Sequence, residues 1–415
     1  MHEPYFVIDL TAVVAYGGKR EMDAVRENCA VYQFVLILCI TRKTQGEYVM
    51  PRISVVLSSY NHERWIGEAI DSVLRQTFQD FELIILDDAS TDRSWDIINS
   101  YDDPRIHTFR NKQRTAETVL KAVSDLAISE VIAVHHSDDV WEPNKLEKQI
   151  RILEARPELG AVFTWANIIN DDGKAIKENI HQKIFAQPNR TRHEWLRYFL
   201  LRGNALCHPS VLIRKQCYRD CGLYRHGIWG IPDFDMWIRL CLKYEIHVIP
   251  EPLVRFRWHD DGSNTSARKN SSRNRSAFEF YLVLESYDRI DTIDDVLRIL
   301  PEAEKHLGQT ASDPGFVLAM TLLDIKHYGS MCLFAQKKLF DLISNPESAA
   351  RIKEWHDFDY MDFMEITRYG PIFVDSASAR KRKRKPFLNF EWVPGLIEFL
   401  GSWRRGRAKP GKADH

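Results

Sequence analysis

Pairing cysteine is what this chain lacks first. Its seven cysteines in 415 residues are scattered without a CxxC unit, which excludes a zinc knuckle and argues for a reducing compartment over a disulfide framework. Long apolar runs are missing too. Val31 to Ile40, broken by Gln33, is the longest near the start and falls short of the roughly 20 residues that span a bilayer. Glu3, Asp9, Glu21, Asp23 and Glu27 precede it, where a signal peptide would carry its basic region. Net charge is nearly absent at -1, which argues against bulk nucleic-acid binding. No GxxxxGK or GxGxxG stands at a strand end, so a phosphate-cradling loop is missing. No internal repeat is visible. What these absences leave is a cytosolic protein whose 44% hydrophobic content suffices for a large core, or two.

What is present centres on EVIAVHHSDDVWEP, Glu130 to Pro143. Val131 to Val134 read as a short buried strand, because four apolar residues run without alternation. Asp138 and Asp139 lie in the turn after it. Pro143 stands about where a helix begins, ahead of the periodic Leu146, Ile150 and Leu153. Adjacent carboxylates past the C-terminal end of a central strand stand where open α/β sheets bind ligands. They offer hard oxygen ligands to Mg²⁺ or Mn²⁺. The competing reading is an Asx turn that caps the next helix.

Before this stretch, strands at Ile53 to Leu57, Phe81 to Leu86 and Ile106 to Phe109 alternate with helices carrying Ile66, Ile70, Val73 and Leu74, then Trp95, Ile97 and Ile98, then Thr118 to Leu126. That alternation predicts βαβ units and a mainly parallel sheet. SSYN after the first strand and DDASTD after the second then gather on the edge that carries Asp138 and Asp139. Downstream, Gly160 to Ala166 is a strand, Asp171 to Gly173 a turn, and 176–195 a loop. Trp195 to Leu201 is a short helix and Pro209 to Ile213 a strand. Pro232 leads into a helix with Trp237, Leu240 and Leu242, and a last strand starts at Val248. The polar stretch Ser263 to Asn274 reads as a mobile loop.

The organisation expected is an appendage at 1–49, with candidate strands at 5–14 and 32–40, then an α/β domain over 50–275. A helical region of four or five helices follows over 276–374, and a basic linker with an amphipathic tail over 375–415. The linker holds six consecutive cations, Arg380 to Lys385, and apolar residues from Phe387 to Trp403 follow them. Such a pairing suits an anionic membrane surface, met through residues 380–409.

Four segments, ISVVLSSYNHERWIGEAIDSVLRQTFQDFELIILDDASTD, HHSDDVWEPNKLEKQI, PDFDMWIRL and VRFRWHDDGSNTS, together resemble the inverting family 2 glycosyltransferases of GT-A fold over about residues 51–266. The resemblance implies a GT-A sheet with flanking helices and a metal-dependent inverting transfer from a nucleotide-sugar, UDP-sugar above all. It implies donor contacts from Ser59, Tyr60, Asn61, Asp88, Arg114 and Asp138. Tyr60 would pack on the base and Asp88 would accept from a ring N–H. Asp139 and His259 would hold Mn²⁺ or Mg²⁺, with Ser137 in place of the first acid that many members carry. Asp233 would be the general base, with Asp235 in reserve, and Pro232 replaces the glutamate that usually precedes the base. Trp237 and Arg239 read as structural. The acceptor implied is a glycan or a lipid-linked glycan of surface polysaccharide synthesis, met on the inner face of the membrane. Other readings are a nucleotidyl- or phospho-transferase, which the missing Gly-rich loop opposes, and a glycan- or nucleotide-binding protein without turnover.

Overall fold

The computed structural model describes residues 50–176, 179–259, 261–262, 264, 273–325 and 329–369. The candidate strands at 5–14 and 32–40, most of the 263–274 loop and the tail at 380–409 lie outside the described residues.

Near-continuous apolar runs make the first strands: β1 (Ile53–Ser59), β2 (Phe81–Asp87), β3 (Ile106–Arg110) and β4 (Val131–His136). Every residue of β2 is buried, and so is all of β1 but Ser58, as a sheet covered on both faces requires. Between them run α1 (Ile66–Leu74), α2 (Ser94–Asn99) and α3 (Thr118–Lys121), the last continued by a π-helical turn over Ala122–Leu126. Then come β5 (Val140–Trp141), α4 (Lys145–Ala155), β6 (Leu159–Ile169), α5 (Ile180–Phe185), α6 (Arg192–Arg202), β7 (Leu212–Arg214), α7 (Lys215–Cys221), α8 (Pro232–Cys241) and β8 (Glu245–Arg257).

Eight strands form one sheet in the order β3-β2-β1-β4-β7-β6-β8-β5. β3, β2, β1 and β4 are parallel neighbours. β7 is antiparallel to both β4 and β6, while β6 and β8 are parallel. Two reversals cancel. β6 and β8 therefore run with β4, and six strands (β1, β2, β3, β4, β6 and β8) point their C-terminal ends at one edge.

Alternation along each strand splits the core between the two faces. Val55, Leu57, Leu83 and Ile85 pack with Ile66, Ile70, Leu146 and Leu153 on one face. Val56, Ile84, Ile132 and Val134 pack with Trp195, Phe199 and Trp237 on the other. That second core continues without a break into the C-terminal helices, through Tyr287, Val296, Leu300, Val317 and Phe334. Those helices are α9 (Arg273–Leu284), α10 (Ile293–Ile299), α11 (Pro314–Ile325), α12 (Gly329–Ser344), α13 (Pro346–His356) and α14 (Tyr360–Tyr369). No helix among the described residues is long and apolar enough to cross a membrane.

Some local expectations change. Pro143 lies two residues ahead of α4, whose N-cap is Asn144. The segment expected as a strand from Pro209 is a 3₁₀ turn over His208–Ser210, and only Leu212–Arg214 pairs. Here the proline cannot donate to a ladder. The 176–195 loop contains α5, capped by the Asn179 side chain, which accepts from His181 N at 2.8 Å. The described cysteines Cys207, Cys217, Cys221, Cys241 and Cys332 are free and buried.

Candidate active site

Five of the six parallel C-terminal ends, those of β1, β2, β4, β6 and β8, place Tyr60, Asp88, Asp138, Asp171 and His259 along one edge of the sheet. Arg257, the last residue of β8, pins the middle of it. Its backbone N–H donates to Asp139 Oδ1 at 2.8 Å and its Nε to Asp138 O at 2.7 Å. The Nη1 group donates to Asn170 O and Asp171 O at 2.8 and 3.1 Å, and Nη2 to Glu68 Oε2 at 2.8 Å. One buried guanidinium thus ties β4, β6, β8 and α1 together. Four of its five N–H donors are used in these bonds, in the planar fork that only arginine offers.

Around this hub stand acids and imidazoles. His259 bonds Asp138 Oδ2 through Nε2 at 3.0 Å and Asp171 Oδ1 through Nδ1 at 2.6 Å. His62 Nδ1 bonds Ser137 Oγ at 2.8 Å. His136 Nδ1 stands 3.5 Å from Asp139 Oδ2, and its Nε2 reaches His208 Nδ1 at 3.2 Å. Burial opposes an imidazolium at His259, but the bonds to Asp138 and Asp171 outweigh it and push its pKa up to about 9. Burial and then the Asp138 charge push Asp139 up to about 6. At Asp138 burial is outweighed by His259, His62 and His136, which hold it well below the usual carboxylate range. Burial lowers the pKa of His62, which favours its neutral imidazole.

This donor set fits a divalent cation. His62, Asp138 and His259 form one cluster and His136, Asp138 and Asp139 a second, each with ligand atoms within 4.8 Å of one another. Asp139 Oδ2 is buried without a hydrogen-bond partner, a carboxylate oxygen that calls for positive charge. Octahedral ligands at about 2.1 Å from an ion lie about 3.0 Å apart in cis positions, which matches the 3.0 Å between Asp138 and His259. The Asp171 contact to Nδ1 is the carboxylate–histidine pairing that orients a metal-binding imidazole.

On the donor side, Tyr60 lies under the Arg114 guanidinium, 4.0 Å from its ring centroid. Asp88 is the anchor of the loop that carries Arg114. Its Oδ1 accepts from Asn111 Nδ2, Thr115 N and Thr115 Oγ1 at 2.8, 2.9 and 3.0 Å, and Oδ2 accepts from Ala116 N at 2.7 Å. Burial is offset by these donors, and its pKa falls. One lone pair remains on Oδ2, since each carboxylate oxygen offers two. Asn61, at φ +52°, spends its side chain on Thr91 N at 2.8 Å and links the loops after β1 and β2. The Ser59 hydroxyl is buried without a hydrogen-bond partner.

On the opposite side, Pro232 occupies the first turn of α8, where a missing N–H costs nothing. Replacing glutamate there leaves the helix start intact and Asp233 in its first turn. Asp233 is partly exposed and accepts from Asn204 Nδ2 at 2.8 Å. Burial raises its pKa against the Phe234 N–H, Asn204 and His136. Asp235 is corrected as reserve base. It is fully buried and held by Arg225 Nε at 3.1 Å and Arg239 Nη2 at 2.8 Å. Arg239 also donates to Cys221 O, Gly222 O and Leu223 O, so Asp235 and Arg239 are structural.

Four site residues escaped the sequence reading: His62, His136, Asp171 and Arg257. Asp171 follows a strand whose direction only the pairing reveals. The other three sit inside or beside recognised motifs without a spacing of their own.

Comparison with known proteins follows this geometry. The profile "Glycosyl transferase family 2" matches residues 54–219. These residues belong to glycosyl transferase family 2. An uncharacterized glycosyltransferase of Methanocaldococcus jannaschii is 28% identical over 51% of this chain and 72% of its own. The O-antigen biosynthesis glycosyltransferase WbnJ of Escherichia coli is 27% identical over 53% and 84%. Among solved structures, S. aureus TarS 1-349 in complex with UDP-GlcNAc superposes with a TM-score of 0.50 at 15% identity, covering 77% of this chain and 92% of that one. That likeness establishes the GT-A type sheet with flanking helices and the helical C-terminal region. Residues 54–219 carry the family 2 glycosyltransferase match, and the acids and imidazoles at the strand edge are read on that basis.

Proposed function

We propose that this glycosyltransferase transfers a sugar from UDP-sugar, with inversion, to a hydroxyl of a glycan or lipid-linked acceptor in surface polysaccharide synthesis. The observation that carries the reading is a cation-ready pair of clusters that share Asp138, with Asp139 and His259 among their members, together with a separate, partly exposed carboxylate, Asp233, near enough to His136 of those clusters for their charges to interact. The S. aureus neighbour was captured with UDP-GlcNAc and WbnJ acts in O-antigen synthesis, which supports donor and pathway class.

In the reaction, Asp233 takes the proton from the acceptor hydroxyl. That oxygen bonds the anomeric carbon from the face opposite the diphosphate, the C1–O bond breaks, and UDP leaves with the electron pair. Burial raises Asp233 toward the pH at which a base works best. Tyr60 and Arg114 would hold the uracil between ring and guanidinium, and the spare Asp88 lone pair would accept its N–H. Asp138, Asp139, His259 and His62 would hold Mn²⁺ or Mg²⁺, and imidazole donors favour a first-row transition ion, hence Mn²⁺. Such an ion, when bound, offsets charge developing on the leaving diphosphate.

Incubation with a UDP-sugar panel and Mn²⁺, followed by detection of free UDP, tests the reading. Release of UDP from one or two members, lost in excess chelator, is the expected outcome. Tight UDP binding with no release from any member would instead make the protein a binder without turnover.

A further inference from the structure

The segment just ahead of the Asp233 helix is shaped by glycine. Gly227 has φ +91°, and a Cβ on Gly230 would meet Glu279 Oε2 at 2.9 Å. Glu279 lies on α9, is 2% exposed, and accepts from Trp229 N at 3.2 Å and Gly230 N at 2.9 Å. A nearly buried carboxylate is spent on two backbone N–H groups, which locks this loop against the helical region. The locked loop leaves Trp229 48% exposed and Phe278 61% exposed. Trp229 is the only tryptophan among the described residues that stands so open. Leaving two large aromatics half or more in water forgoes part of the stabilisation that burial gives, and contiguous exposed apolar surface marks a binding site. Arg275 lies over the indole, 5.2 Å from its ring centroid. Together Gly227, Trp229, Arg275, Phe278 and Glu279 line a recess of about 480 Å³, inside the roughly 300–1,000 Å³ range of small-molecule sites.

We infer that this recess is a subsite for a sugar of the acceptor glycan, lying beyond the sugar that is glycosylated. The inference rests on the transfer reading above and extends it. A pyranose ring has an apolar C–H face and a rim of hydroxyls. Trp229 and Phe278 meet the face, and the Arg275 fork donates to the rim. Position separates it from the donor. The donor residues follow β1, β2 and β4, whereas Trp229 is four residues from Asp233, at most roughly 14 Å along the chain. That span places the recess beside the base without occupying its place. The helical region outside residues 54–219 supplies Arg275, Phe278 and Glu279, and with them a share in choosing the acceptor.

Saturation-transfer NMR on the full chain tests this, with methyl glycosides and short oligosaccharides of glucose, galactose, mannose and N-acetylglucosamine as probes. The expected result is transfer to the ring C–H protons of at least one probe. Trp229→Ala and Phe278→Ala should each cut it at least fivefold, and Trp229→Phe should retain it. Circular dichroism confirms that each variant is folded. No transfer to any probe in the native chain, or transfer that survives both alanine variants, overturns the subsite. Free UDP formed from UDP-sugar without glycan is measured on the same samples. Its absence counts against the transfer reading alone, because glycan binding is read without turnover.

Discussion

Asp233 and Asp235 are two residues apart on one helical turn, yet the structure gives them opposite tasks. Asp233 is partly exposed, while Asp235 is enclosed between two guanidinium groups. Asp233→Asn keeps the size but cannot take the proton. It should lower kcat by roughly 10²–10⁴ with the donor KM nearly unchanged. The native pH–rate profile should lose activity on acidification through a pKa above the usual carboxylate range, since the base must be ionised and burial has raised it. An acidic limb at an ordinary carboxylate pKa would count against Asp233. Asp235→Asn should instead cost stability, about 3–5 kcal/mol by denaturant titration, because removing one partner strands buried positive charge. Asp171 is a third case, since it holds the Nδ1 side of His259. Asp171→Asn should weaken Mn²⁺ binding roughly 10–100-fold by electron paramagnetic resonance. Unchanged affinity would remove His259 from the metal site.

Among elements, β8 does most to assemble the site. Its end carries Arg257 against the turns after β4 and β6, and His259 follows two residues on. Both turns lack apolar content of their own, so their shape depends on the guanidinium. Arg257→Lys keeps the charge and loses the fork. It should lower stability by about 2–4 kcal/mol through lost hydrogen bonds and weaken Mn²⁺ binding along with it. Thermal unfolding followed with and without Mn²⁺ checks both effects. A variant with native unfolding and native Mn²⁺ response would show that the turns hold themselves. The 3₁₀ turn at His208–Ser210 has a related task. It sets His208 beside His136 and Tyr224, with His208 Nε2 at 2.9 Å from the Tyr224 hydroxyl.

At the scale of the whole molecule, the sheet and the helical region share one hydrophobic cluster. The 50–275 and 276–374 segments thus pack through apolar side chains, whatever boundary the sequence places between them. The cationic tail at 380–409 is argued from sequence alone, as an anionic-membrane contact suited to a lipid-linked acceptor. Vesicles containing anionic lipid should sediment the full chain at moderate salt and leave a chain ending at Asp375 in solution. Equal sedimentation of the two would dispose of that contact.

Local chemistry made much of this legible in the residues themselves. Buried β-branched runs announce parallel strands, and polar clusters just after Leu57, Leu86 and Val134 announce a ligand edge, because both signals are short-range. Asp138 and Asp139 stood out in the same way, within a motif a few residues long, whereas Asp233 was named only through the family resemblance. Tertiary structure decided the rest. His259 reaches Asp138 and Asp171 reaches His259 only because two antiparallel pairings cancel and turn β6 and β8 parallel to β4. Asp235 is withdrawn from chemistry only because Arg225 and Arg239 converge on it from outside its helical turn and within it. Glu279 shapes the Trp229 loop from 49 residues away in the chain. Strand direction, ion-pair partners and long-range clamps depend on which segments pack together, and no local spacing of residues encodes that.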